Sequence, residues 1–125
     1  MGKQIKIFIF PAKKNHKKME KEINKWLEEK GESIAIVHSQ ITETVKRFIL
    51  SCIFHEKSQE KQNDKPKQVK IFRSEPNGDD LENLVNEWFD EFGDENIEVS
   101  RCLQSANSRH LTMLIFFRSS RNKSS

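Results

Sequence analysis

No apolar run in this chain of 125 residues approaches the ~20 residues that a membrane-spanning helix needs. The amino terminus enters a strand-like pattern at once, without the apolar stretch of a secretory leader. A cytoplasmic protein with no membrane contact is therefore expected. Cysteine is also scarce. Two residues, Cys52 and Cys102, are too few for a structural zinc site, and each sits in an apolar run where a reduced thiol acts as a small hydrophobe.

Motifs that carry chemistry are missing as well. The sequence has no phosphate-binding G-x-x-x-x-G-K-[ST], no dinucleotide-binding G-x-G-x-x-G and no nucleophile motif. His16, His38, His55 and His110 form no pair spaced three or four apart on a helix, as a metal site would favour. The acid pairs Asp79-Asp80 and Asp94-Glu95 fit a helix start and a loop, with no partners placed for acid-base work. No catalytic residue, metal or cofactor is expected, and the chain is not expected to be an enzyme.

What is present is a polar chain that repeats itself. Hydrophobic residues make up 34% and charged residues 33%, so part of the length must be solvated. Residues 57–67 contain no aliphatic or aromatic side chain and are expected to be a linker. Residues 119–125 are expected to be a disordered tail. On either side of the linker the same pattern returns. Gln4-Ile5-Lys6-Ile7-Phe8 reappears as Gln68-Val69-Lys70-Ile71-Phe72. Met19-Glu20-Lys21-Glu22-Ile23-Asn24-Lys25-Trp26-Leu27 reappears as Leu81-Glu82-Asn83-Leu84-Val85-Asn86-Glu87-Trp88-Phe89, with Gly31 and Gly93 in the same spacing. Such self-similarity constrains a fold more than local propensity does.

Each copy opens with the alternation of a strand. A segment follows in which Met19, Ile23, Trp26 and Leu27, or Leu81, Val85, Trp88, Phe89 and Phe92, recur at helical spacing, and the glycines suit its C-terminal end. Two further apolar runs, 34–41 with 47–55 and 97–103 with 110–117, are separated by stretches short enough for hairpins, Thr42-Glu43-Thr44 and Ser105-Ala106-Asn107-Ser108. Each unit is thus βαββ. The pattern predicts one pseudo-symmetric α+β domain, with repeats over 4–56 and 68–118. Its helices should lie on one face of an antiparallel-rich sheet or of two packed sheets, ferredoxin-like in general character.

At the helix, Glu22-Ile23-Asn24-Lys25-Trp26-Leu27 and Leu84-Val85-Asn86-Glu87-Trp88-Phe89, each preceded by an I/V-K-I-F strand and followed by two apolar strands, resemble the short single-unit sporulation-associated proteins of Gram-positive bacteria and their phage-borne relatives. The resemblance covers nearly all of both repeats and implies a bacterial or phage protein with a βαββ fold. It carries over no functional residue, and this chain differs in being doubled.

The side chains suggest three uses. Trp26 and Trp88 fall on the buried helical stripe and are expected in the core, while Asn24 and Asn86 flank that stripe and suit a buried hydrogen bond to a sheet or loop. Lys13, Lys14, Lys17 and Lys18 crowd the entry to the first helix, where cations oppose the dipole; the second copy places Asp79 and Asp80 there. An anion site is expected at that loop, joined by Arg101 and Arg109 from the second hairpin. If Ile5, Ile7, Val69 and Ile71 pack beneath the helices, Phe8, Phe10 and Phe72 become sheet-surface aromatics, with either Leu111, Met113, Ile115 and Phe117 or Thr112, Leu114 and Phe116 beside them. Such a face calls for sheet-on-sheet pairing, self-association or a ligand.

Charge divides the chain: residues 1–56 hold eleven Lys or Arg against seven Asp or Glu, whereas 71–117 hold three against ten. That asymmetry can orient the halves on each other or on a neighbouring subunit. The leading expectation is a non-catalytic, homo-oligomeric binding module for a small anionic ligand, with a nucleotide foremost. A single-stranded nucleic-acid binder using the aromatics and a protein-interaction module without a ligand are the alternatives.

Overall fold

The computed structural model describes residues 2–56, 67–75, 78–92 and 97–119. Nearly all of the expected linker and tail, and Gly93 as a helix terminator, lie outside these residues. The first unit runs β1 (Gln4–Pro11), α1 (His16–Lys30), a 3-10 turn (Gly31–Ser33), β2 (Ile34–Glu43) and β3 (Arg47–Glu56). The second runs β4 (Gln68–Ser74), α2 (Leu81–Phe92), β5 (Ile97–Ala106) and β6 (Leu111–Ser119). The strands form two antiparallel three-stranded sheets, β1-β3-β2 and β4-β6-β5. The architecture is α+β. Three boundaries differ from expectation: Ser119 belongs to β6 rather than to a tail, and Glu43 and Ala106 end strands rather than lie in turns.

Local chemistry explains the helix limits. Asn15 caps α1, its Oδ1 accepting from the Lys17 N–H at 2.8 Å. Gly31, at φ 57°, ends the helix by donating its N–H to the Leu27 carbonyl, in a positive-φ conformation that a side chain would strain. The two hairpins are built alike. Thr44 Oγ1 accepts from the Lys46 and Arg47 N–H groups, and Asn107 Oδ1 accepts from those of Arg109 and His110, the self-bonding that makes such residues turn formers. Each hairpin also carries a register shift at a matching place, between Ile36 and His38 and between Val99 and Arg101.

The first helix chooses the aromatic face of its sheet. Met19, Ile23 and Leu27 are buried against Phe10, Phe48, Leu50, Cys52 and Phe54, while Trp26 stands edge-on to Phe8 and Phe54 at centroid distances of 5.8 and 5.4 Å. This reverses the expected orientation. Phe10 is 5% exposed, and it is Ile5, Ile7 and Ile9 that face outward at 55%, 47% and 59% exposure. Helix α2 does the same on its own sheet, with Trp88 edge-on to Phe72 and Phe117 at 5.7 and 5.0 Å. Phe8, Phe10 and Phe72 are thus under helices and offer no sheet-surface platform. On this face Trp26 and Trp88 gain edge-to-face contacts with phenylalanine rings, which a row of isoleucines cannot offer.

Strands β4 and β6 of the second sheet are covered on both faces. Phe72, Met113, Ile115 and Phe117 face α2 and pack against its Val85 and Phe92. Val69, Ile71, Leu114 and Phe116 face the first unit, where they join Met19, Ile23, Leu27, Ile41 and Phe48 in one cluster. The seam is completed by α1 lying along the β4 edge. Asn24 donates to the Val69 carbonyl at 3.1 Å and accepts the Val69 N–H at 2.7 Å, and Glu20 accepts the Ile71 N–H at 2.9 Å. An otherwise unpaired strand edge is thereby satisfied by helix side chains. On the far side Arg101 donates to the Ile36 carbonyl at 3.2 Å, tying β5 to β2.

Candidate functional site: a basic cleft between the two units

The seam between the units ends in a buried polar network centred on Glu43, whose side chain is fully buried. Its Oε2 accepts from Arg73 Nη2 at 3.3 Å and Thr112 Oγ1 at 3.1 Å, and its Oε1 from Ser105 Oγ at 2.9 Å. His110 Nε2 completes the set with a short contact to Oε2. Arg73 also donates to Thr112 Oγ1 at 3.2 Å and to the Lys14 carbonyl at 3.0 Å. One carboxylate of the first unit therefore gathers four side chains of the second, so an otherwise costly buried charge is held by several donors. Burial pulls the Arg73 guanidinium below its ordinary pKa, and the Glu43 carboxylate opposes that shift through charge and hydrogen bonding.

Three loops meet above this network. The β1–α1 loop is held to the β2–β3 turn by the Ala12 N–H, which donates to the Lys46 carbonyl at 2.9 Å. The β2–β3 turn is held to the β5–β6 turn by Asn107 Nδ2, which donates to the Thr44 carbonyl at 2.9 Å. Between them lies a cleft of about 490 Å³ lined by Pro11, Ala12, Lys13, Val45, Lys46, Arg47, Arg73, Arg109 and His110. Five of those nine residues carry permanent positive charge and none is an acid. The loops are cross-linked by backbone and side-chain hydrogen bonds; Arg73 is paired with Glu43 beneath the cleft, and Lys13, Lys46, Arg47 and Arg109 stand near one another with no acid in the lining.

The expected anion-site residues are divided by the fold. Lys13 and Arg109 line the cleft. Lys14, Lys17 and Lys18 lie instead along α1 among Glu20, Glu22 and Glu28, and Lys14 Nζ is paired with Glu22 at 3.0 Å. At the α1 N-terminus the Lys17 N–H is taken by the Asn15 side chain and the Lys18 and Met19 N–H groups by the Asn15 carbonyl. Arg101 is used at the β2–β5 seam. Lys46, Arg47, Arg73 and His110 were not anticipated. For Arg73 a signal existed: it continues the inward alternation Val69-Ile71-Arg73, and an arginine on a buried strand face needs a partner.

His16, beside this region, has its pKa lowered by burial first, then by Arg73, Lys17, Lys70 and His110. Cys52 and Cys102 are free thiols, and burial pushes Cys52 up to about 12. Among the described residues no three His, Cys, Asp or Glu side chains are grouped to hold a metal ion, and no helix is long and apolar enough to cross a membrane. Comparison with protein-family models, curated proteins and solved structures finds no match to this chain.

Proposed function

We propose that this protein is a non-catalytic binding module that captures a small phosphate-bearing anion, a nucleotide foremost, in the cleft between its two units. The observation that carries the reading is the composition of the cleft wall: Lys13, Lys46, Arg47 and Arg109 with no acid among them, above an Arg73 that is paired with Glu43, in a chain whose second half is otherwise strongly acidic. Arginine's planar fork suits phosphate oxygens, and clustered lysines add point charge. The volume of about 490 Å³ lies in the range of small-molecule sites. Pro11, Ala12 and Val45 supply an apolar wall against which a base can rest.

The same reading takes the chain to be two copies of one βαββ unit, akin to the small sporulation-associated proteins and ferredoxin-like only in setting a helix on one face of an antiparallel sheet. The cleft then exists because the unit is doubled, since neither unit alone brings Arg47 and Lys46 against Arg73 and Arg109. A cytoplasmic setting, where nucleotides are abundant, accords with this. Mass spectrometry of the small molecules released when the purified protein is denatured tests the reading. A stoichiometric phosphate-bearing compound is the expected result, and its absence, together with no binding of added nucleotide in calorimetry, overturns it.

A further inference from the structure

One surface of each unit has a covered counterpart in the other. In β4 and β6 the face turned from α2 carries Val69, Ile71, Leu114 and Phe116, all buried against the first unit. The corresponding face of the first sheet carries Ile5, Ile7 and Ile9, which are exposed. Conversely, α1 spends Glu20 and Asn24 on the β4 edge, whereas their counterparts Glu82 and Asn86 on α2 are exposed. The strand beside each helix follows suit. Ser39, Ile41 and Glu43 of β2 are buried under the second unit, and their counterparts Cys102, Gln104 and Ala106 of β5 are exposed. The chain thus contains one finished seam and, at opposite ends, the two halves of another.

We propose that the protein self-associates head to tail, the α2 side of one copy taking the bare β1 face of a second copy as α1 takes β4 within the chain. The inference rests on the correspondence of the two units and not on any ligand. Glu20 accepts the Ile71 N–H and lies 3.9 Å from Lys70; Glu82 meets the Ile7 N–H and Lys6 of the second copy in the same way. Asn86 takes the place of Asn24 against the Ile5 backbone on edge strand β1. Charge agrees, because α2 presents Glu82, Glu87, Asp90 and Glu91, and the first unit is basic.

The polar residues change together. Within the chain Glu43 meets Arg73 and Thr112. At the second seam Ala106 stands for Glu43, Ile9 for Arg73 and Ile49 for Thr112. A carboxylate has been exchanged for a methyl group where Arg73 and Thr112 have become isoleucines, while Thr42 and Arg47, which stand for Ser105 and His110, are exposed, so the seam gains no unpaired buried charge. A contact of this kind is heterologous, so it closes into a ring or grows as a chain of copies.

Light scattering tests it. The wild-type protein should show more than one chain's mass at submillimolar concentration. Ile7→Asp, which spoils only the β1 face, and the double variant Glu82→Lys, Asn86→Ala, which spoils only the α2 side, should each fall to one chain's mass with unchanged circular dichroism. Mixed in equal amounts they should form a species of two chains and no larger, because each supplies the half the other lacks. A wild type that stays at one chain's mass overturns the proposal, as does a mixture of the two variants that fails to pair.

Discussion

Asn24 of α1 closes both backbone groups of Val69, donating to its carbonyl at 3.1 Å and accepting its N–H at 2.7 Å. A single side chain thus stands in for a missing neighbouring strand. Asn24→Ala leaves a buried donor and acceptor without partners and should cost about 1–3 kcal/mol, read as a lower urea midpoint. Asn86→Ala, at an exposed position of α2, should cost much less when measured on single chains at high dilution.

The Glu43 network supports a second expectation. Glu43→Ala strands Arg73 in the seam and should destabilise by about 3–5 kcal/mol, the range for breaking one partner of a buried pair. Adding Arg73→Ile to that variant removes the unpaired charge and should recover a large part of the loss. A double variant no more stable than Glu43→Ala would show that the seam depends on the ion pair itself. Thermal denaturation of the three proteins makes the comparison.

His16 gives the pH dependence. Its folded pKa is lowered from 6.5, chiefly by burial and then by Arg73, so the unfolded chain binds the proton first as pH falls. The stability linked to this group is fully present above pH 6.5 and is lost as pH drops through the lower, folded value. His16→Gln should therefore lose less stability than wild type between pH 7.5 and pH values below 6.5, as read from urea midpoints at each pH.

Two glycines separate strain from crowding. Gly31 and Gly78 both hold positive φ, 57° and 73°, where an added side chain costs of order 1 kcal/mol. A Cβ at Gly31 meets nothing within 4 Å, whereas one at Gly78 would lie 2.9 Å from Leu111 Cδ2. Leu111 Cδ2 ends a flexible side chain that can turn aside, whereas Gly31, with ψ −134°, lies outside the left-handed helical region, so Gly31→Ala should lower the melting temperature at least as much as Gly78→Ala.

Much of the fold was legible because periodicity reports where apolar residues recur. The helices around Trp26 and Trp88, the order of elements in each unit and the approximate strands all follow from spacing. The facing of the sheets did not. In Ile5 to Phe10 both faces are apolar, so alternation marks two surfaces without saying which takes the helix; that is decided by how Trp26 packs on Phe8 and Phe54, a tertiary fact. The candidate site was legible only at Lys13 and Arg109, which stand in loops rich in polar residues. Lys46 and Arg47 lie in another unit's turn far along the chain from Arg73 and Arg109, and nothing local shows that the turns meet. Arg101 went the other way, its charge suggesting a ligand and its position beside β2 giving it a backbone carbonyl instead.

The most direct test of the cleft as an anion site is a calorimetric titration of a nucleoside triphosphate into three variants that each lose three charges. Lys13→Gln, Lys46→Gln, Arg109→Gln strips the cleft, Lys14→Gln, Lys17→Gln, Lys18→Gln strips the start of α1 and the residue before its cap, and Lys57→Gln, Lys61→Gln, Lys65→Gln strips the expected linker. Hydrogen bonds to charged groups contribute about 1.5–3 kcal/mol each, and about 1.4 kcal/mol is a tenfold change in affinity. The cleft variant should thus bind at least about tenfold more weakly than wild type, with the α1 and linker variants near wild type. An equal loss in all three would mean that general electrostatics alone attracts the ligand, and would contradict a site between the units.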